Sequence, residues 1–259
     1  MIIACYSDDM QYKLLLLDVD GTLTASKANA LPSAAVIAAV QAAQQKVTVA
    51  LATGRPKDFA MPVVEALKLK GYGIFNNGAE VIHTTDGSLA FEQLLSVAQL
   101  RELITLALPF GYPTYTDEDQ YSQAVQSPAD AVKPTAKLFI EAVRTADIPA
   151  MIETLNSVHD VIAHPTTSWK DGDVLDVHVN HGLATKRHGA EQLIDLLGIT
   201  KDEVMAIGDS FNDMPLLEAA SLKVAMGNAA PEVKAVADYI APSLEDDGVA
   251  DAINRFILT

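Results

Sequence analysis

Short apolar runs that stop at polar or glycine-rich residues recur along the chain. Leu14–Leu17 runs into Asp18-Val19-Asp20-Gly21-Thr22, and Val47–Leu51 runs into Ala52-Thr53-Gly54-Arg55-Pro56. Gly73–Phe75 leads into Asn76-Asn77-Gly78, Val204–Ile207 into Gly208-Asp209-Ser210-Phe211-Asn212-Asp213, and Leu222–Met226 into Gly227-Asn228. Apolar runs of this length without alternation predict strands buried on both faces, as in a parallel sheet. Helical spacing separates them. Leu31–Gln45 carries Val36, Ile37 and Val40 on one stripe, and Pro56–Lys70 carries Val63, Val64 and Leu67. Thr185–Leu197 carries Ala190, Leu193, Ile194 and Leu197, with Gly198 as its stop. Strands alternating with helices predict an α/β fold with a parallel sheet and right-handed crossovers. Ligands in such sheets bind beyond the carboxyl ends of the strands, so all these polar clusters are expected on one face.

The stretch from Thr84 to Gly182 reads differently. It predicts a helix over Leu89–Leu108, a strand over Lys137–Ala142, a helix over Pro149–Ser157, and strands over Val161–Trp169 and Val174–Asn180. This mixed pattern lacks polar clusters at its strand ends. It is read as an α+β domain (84–182) inserted into a core made of 1–83 and 183–259, with crossings at the Thr84–Gly87 turn and near His181-Gly182.

Composition narrows the classes. An apolar fraction of 49% supports a substantial core. The net charge of −16 disfavours nucleic acid, whose phosphates attract basic surfaces. No apolar run reaches membrane-spanning length, and Met1–Cys5, followed by Asp8 and Asp9 without a basic flank, does not read as a secretory signal. Cys5 is the single cysteine, which excludes a disulfide framework and a Cys-rich zinc site and fits a cytoplasmic protein.

Asp18 and Asp20, one residue apart at the exit of a buried strand, repel each other unless a cation or a phosphoryl group answers them. Asp18, at the strand end, is placed to be a carboxylate nucleophile that forms an acyl phosphate. Asp20 is placed to protonate the leaving group and then activate water. Asp209 and Asp213 come from another strand end. Together the four carboxylates suit a hard divalent cation, Mg²⁺ above others. Thr53-Gly54 precedes a helix start, a natural anion site. Lys186 lies in a first helical turn, where the macrodipole disfavours a cation unless an anion is near. His178 and His181, at a strand end, are read as structural or solvent-exposed.

These residues resemble the haloacid dehalogenase superfamily, and within it the Cof-type phosphatases that carry a large α/β cap. Asp18-Val19-Asp20-Gly21-Thr22, Thr53-Gly54-Arg55, Lys186 and Gly208-Asp209-Ser210-Phe211-Asn212-Asp213 match its four motifs in order. Asn77-Gly78-Ala79, Ala225–Ala229 and Asp247–Ala250 also resemble this group. The resemblance implies a Rossmann-like parallel-sheet core with an inserted cap that closes over the site and selects the leaving group. It implies Asp18 as nucleophile and metal ligand, and Asp20 as acid/base lending its main-chain carbonyl to Mg²⁺. Asp209 becomes a third ligand and Asp213 an outer-shell partner or secondary ligand. Val19, Thr53, Gly54, Lys186 and Asn212 would hold the phosphate. The sequence departs from the family pattern at Arg187, where Gly is usual, and at Ser243-Leu244, where Ser-Asn is usual.

The function expected is a Mg²⁺-dependent phosphatase acting on a small phosphorylated metabolite, sugar phosphates foremost, with no nucleic-acid or membrane partner. A phosphomutase of the same fold needs a second phosphate site in the inserted domain. Its cations Arg101, Lys133, Lys137, Arg144 and Lys170 are scattered, which argues against that alternative. A non-catalytic phosphate-binding regulator has no need of both Asp18 and Asp20. Tyr112, Tyr115, Tyr121 and Trp169 are candidates for stacking on a ring, with core packing the commoner role, and Asp117–Asp119 reads as a solvated loop.

Overall fold

A computed structural model describes residues 11–26, 30–116, 124–168 and 170–259. Cys5, Asp117–Asp119, Tyr121 and Trp169 lie outside the described residues. The chain forms two compact units. One runs to Phe91 and resumes at Thr185, and the other is Glu92–Ala184.

In the first unit β1 (Leu14–Leu17) is a run of four leucines with no exposure on either face. Burying each such side chain stabilises by about 1.5–3 kcal/mol, which favours the centre of a sheet. β1 pairs in parallel with β2 (Thr48–Leu51) on one side and with β10 (Val204–Gly208) on the other. With β11 (Leu222–Ala225) and β12 (Tyr239–Ile240) the order is β12-β11-β10-β1-β2. The register sets Leu17 beside both Ile207 and Leu51, so three strand ends are level.

Helices α1 (Ala34–Ala43), α2 (Lys57–Leu67) and α8 (Gly248–Phe256) pack with one another through α1, and α5 (Lys186–Leu197) packs with α6 (Met214–Glu218). The short α7 (Pro231–Val236) leans on β11. Ser33 caps α1 through Val36 N–H, Thr185 caps α5 through His188 N–H, and Gly198 ends α5 in the left-handed region. Each helix is shorter than its apolar stripe predicted, because the cap and not the stripe sets the end.

β3 (Tyr72–Phe75) is not a member of the parallel sheet, although its strand-end cluster was read with the others. It pairs antiparallel with β4 (Glu80–His83), and β5 (Leu89–Glu92) completes a three-stranded sheet. A single parallel bridge, Ala52 to Ile74, ties it to the end of β2. The Thr84–Gly87 turn therefore sits between β4 and β5 of the first unit, and the chain leaves that unit after Phe91.

The helix expected over Leu89–Leu108 is two elements. Leu89–Glu92 is strand β5, and α3 (Val97–Ala107) starts only at Ser96, whose hydroxyl accepts from Gln99 N–H while the Gln99 side chain takes Ser96 N–H. That reciprocal cap blocks extension toward Leu89. The second unit then lays out β6 (Thr114–Thr116), β7 (Leu138–Arg144), α4 (Ile148–Leu155), β8 (Val161–Thr167) and β9 (Val174–His181), with sheet order β6-β7-β9-β8, all antiparallel. Leu100, Leu103 and Ile104 of α3 and Met151 and Leu155 of α4 share a core with Leu138, Ile140, Val177 and Val179 of the sheet. A bulge interrupts β7 against β9 between Ile140 and Val143, and the Asp176 carboxylate accepts Ala142 N–H there at 2.8 Å. Among the described residues no helix is long and apolar enough to cross a membrane.

Candidate active site

The level strand ends bring three loops to Asp18. Its N–H donates to Ile207 carbonyl at 3.1 Å, while Ala52 N–H donates to Leu17 carbonyl at 2.8 Å. Asp18 thus leaves the sheet between the loop after β2 and the loop after β10. β3 joins from the side, through Thr53 N–H on Ile74 carbonyl and Asn77 N–H on Thr53 carbonyl.

Lys186, the first residue of α5, is 2% exposed, and its ammonium lies 2.5 Å from Asp18 Oδ1 and 2.6 Å from Asp213 Oδ1. Burial alone lowers a lysine pKa, but the two carboxylates outweigh it and hold Lys186 above its ordinary value. The same contacts explain a cation in the first turn of a helix, where the dipole opposes it. Gly78 lets this happen locally. It takes φ 100°, and a Cβ there would lie 2.0 Å from Thr185 carbonyl, so the loop after β3 presses directly on the start of α5.

Asp209 follows β10. Its Oδ1 accepts Thr22 hydroxyl at 2.7 Å, and its Oδ2 would lie 2.2 Å from a Cβ at Gly21, whose φ is 92°. Only glycine at 21 admits that carboxylate. Asp213 is fully buried, and its Oδ2 accepts the N–H groups of Asp209 at 3.0 Å and Ser210 at 2.9 Å. With Lys186 on Oδ1, both oxygens of Asp213 are engaged in holding the loop after β10 and the lysine.

Asp18, Asp209 and Asp213 each offer an oxygen, and these lie within 4.8 Å of one another. Burial, and then the Asp213 charge, hold the Asp18 carboxyl well above the usual carboxylate range. Burial, and then Asp213, push Asp209 up to about 6. Lys186 supplies one positive charge against three carboxylates. The excess negative charge, in an all-oxygen donor set, fits a hard divalent cation such as Mg²⁺. Asp18 and Asp209 have the oxygens to hold it. Among the described residues Asp18 Oδ2 accepts no hydrogen bond, which leaves one oxygen of the nucleophile candidate open.

The Asp20 carboxylate is not in that cluster. Arg55 takes it as a fork, Nε to Oδ2 at 2.8 Å and Nη2 to Oδ1 at 2.6 Å. The Val19 side chain is buried, and the Val19 carbonyl closes a tight turn by accepting Leu23 and Thr24 N–H. Thr53 is buried and accepts Arg55 N–H at 3.1 Å, and a Cβ on Gly54 would lie 2.8 Å from Asn77 Oδ1. Asn212 sits on the turn between Ser210 and Asp213 and accepts Ser210 hydroxyl. The structure therefore joins Asp18, Lys186, Asp209 and Asp213 directly, and sets Thr53 and Asp20 around Arg55. His178 and His181 belong to the Glu92–Ala184 unit: His178 packs edge-on against Phe139 and His164, and His181 accepts Leu183 N–H.

Sequence reasoning assigned no role to Arg55, Thr22 or Asn228. Arg55 and Thr22 lie inside the second and first motifs, and an arginine directly after Thr53-Gly54 was the signal the sequence carried. Asn228 donates to Gly21 carbonyl at 2.8 Å and accepts Leu244 N–H at 2.9 Å, fastening the turn after β1 to the C-terminal segment.

A sequence profile described as haloacid dehalogenase-like hydrolase matches residues 15–125 and 112–253. The chain belongs to that family. It is 29% identical over 247 residues to a phosphoglycolate phosphatase of Methanothermobacter thermautotrophicus, covering 95% of this chain and 99% of that one. It is 30% identical over 275 residues to the chloroplastic endoribonuclease YBEY of Arabidopsis thaliana, covering 95% of this chain but 47% of that protein, so it spans about half of that relative's length. Among solved structures, a sugar phosphatase of subclass IIB of this superfamily superposes with a TM-score of 0.75 at 22% identity, over 94% of this chain and 98% of that one. That likeness establishes the fold of the hydrolase described above.

Proposed function

We propose that this phosphoric monoester hydrolase is a Mg²⁺-dependent phosphatase of small phosphorylated metabolites, sugar phosphates foremost, working through a phosphorylated Asp18. The observation that carries the reading is Asp18 itself: one oxygen held by Lys186, the other open, with Asp209 close by.

Bound Mg²⁺ would offset the carboxylate charge and the negative oxygens of the phosphoryl group. The chain's own residues do the rest. A carboxylate oxygen of Asp18 attacks phosphorus in line with the leaving oxygen, and the phosphorus–oxygen ester bond breaks. Asp20 gives its proton to the departing alkoxide. Asp20 then takes a proton from water as that water attacks phosphorus, the bond to Asp18 breaks, and inorganic phosphate leaves. Lys186 and the N–H and hydroxyl groups of Val19, Thr53, Gly54 and Asn212 bind the phosphate oxygens. Selection of the leaving group is the role that the family resemblance implies for the inserted domain.

The test is a screen of phosphorylated sugars and small phosphorylated acids with and without Mg²⁺, with Asp18→Asn as control. Turnover that needs Mg²⁺ and vanishes in the control supports the reading. Full turnover in chelator, or in Asp18→Asn, contradicts it.

A further inference from the structure

Arg55 is a charged side chain beside the site to which the proposed reaction gives no part. It is 7% exposed, and its own loop, the loop after β3 and helix α2 hold it in place. Its N–H donates to Thr53 Oγ1 at 3.1 Å, its carbonyl accepts Asn76 N–H at 3.0 Å, and Nη1 donates to Phe59 carbonyl at 3.4 Å. From that seat, Nε and Nη2 reach both oxygens of Asp20, at 2.8 and 2.6 Å.

A carboxylate offers about four lone-pair positions, and a guanidinium fork fills two of them in one plane. Asp20 stands on a tight turn and is itself partly exposed, so without the fork its carboxyl group would rotate freely. Acid–base transfer needs an oxygen within hydrogen-bond reach of the reacting oxygen in a set direction. A lysine on the same seat brings a point charge without a plane.

We propose that Arg55 is a positioning residue: its fork fixes the plane of the Asp20 carboxylate and so the direction from which the leaving-group oxygen is protonated. This rests on the reading of Asp20 as the acid–base group.

The experiment uses the whole protein with Mg²⁺ and two esters. One is p-nitrophenyl phosphate, whose leaving group departs without a proton. The other is the alkyl phosphate hydrolysed fastest in the screen above. Arg55→Lys is expected to lower kcat on the alkyl ester by about 10- to 100-fold, part of the 10²–10⁴ that acid–base assistance supplies, and on the aryl ester by less than about threefold. KM for both is expected to stay within about twofold, since no phosphate contact is lost. In an Asp20→Asn background, adding Arg55→Lys should change kcat on the alkyl ester by less than about twofold, because the two residues act as one unit. The ratio of the two rates does not depend on how much of the variant is folded, so partial misfolding cannot imitate the result. Equal losses on both esters, raised KM values, or additive losses in the Asp20→Asn background would overturn the proposal. Wild-type protein inert toward both esters would instead remove the phosphatase reading, and this inference with it.

Discussion

The two units handle polar residues in opposite ways. In the first, the central strands β1 and β10 of the parallel sheet carry no polar side chain, and the charged and hydroxyl-bearing residues crowd the first few positions after strands β1, β2 and β10: Asp18, Asp20, Thr53, Asp209, Asp213. In the second, polar residues alternate within the strands. Tyr115, Phe139, His178 and His164 form a cross-strand row, while Leu138, Ile140, Val177 and Val179 face α3 and α4. A sheet covered on both faces can expose chemistry only at its ends. The antiparallel sheet instead carries its polar and aromatic residues along its length, on the face opposite α3 and α4. The difference predicts where substitutions act on turnover and where on stability alone.

The sharpest break between the units is at the nucleophile. Asp18→Asn should lower kcat by at least about 10⁴-fold, in the range seen when a covalent nucleophile is removed, without lowering the melting temperature, because it relieves a buried carboxylate crowded by Asp213 and Asp209. Steady-state kinetics and a thermal melt of the same sample check both halves. Next in size is burial. Leu16→Ala, in a strand covered on both faces, should cost about 2–5 kcal/mol, while Ile162→Ala, 38% exposed on β8, should stay within about 0.5 kcal/mol. Urea titration of each variant measures this.

Cation linkage separates the units again. Asp209 is pushed up to about 6 from 3.8, so across that window the folded protein binds more protons than the unfolded chain, and cation-free stability falls as pH rises. Above about 6 the carboxylate is ionised and ready for a cation. Mg²⁺ should therefore raise the melting temperature more at pH near 7.5 than near 5, by a term approaching about 2.7 kcal/mol at a hundredfold excess over Kd. Asp209→Asn should remove most of that gain, and equal gains at both pH values would contradict the linkage.

The smallest effect lies in the second unit. Burial, then Lys137 and His164, hold His178 well below its ordinary 6.5. Between its folded value and 6.5 the unfolded chain binds the extra proton, so stability is intact above 6.5 and declines as pH falls below it. The loss is at most about 1.4 kcal/mol per pH unit. His178→Phe, which keeps a ring against Phe139, should flatten that acid limb in pH-dependent melts.

Much of the first unit was legible because burial on both faces writes itself as unbroken apolar runs, and because Asp-x-Asp and Gly-Asp-x-x-Asn-Asp are spaced by a chemical need. The second unit was less so. Leu89–Glu92 carries residues that suit a helix as well as a strand, and only pairing within the sheet decides. β3 shows the same apolar run as β1, yet belongs to a different sheet, since membership depends on partners far along the chain. Arg55 was visible as a letter but not as a partner of Asp20, because nothing local aims a long side chain across two loops.

The strand order has a consequence for synthesis. β1 emerges early but has β10 as one of its two neighbours, and the whole Glu92–Ala184 unit and α5 are made in between. Until β10 leaves the ribosome, one backbone edge of four consecutive leucines has no native mate, and such an open edge invites pairing with other chains. The placement that makes Asp18 meet Asp209 thus delays assembly of the site until β10 and the loop after it have been synthesised.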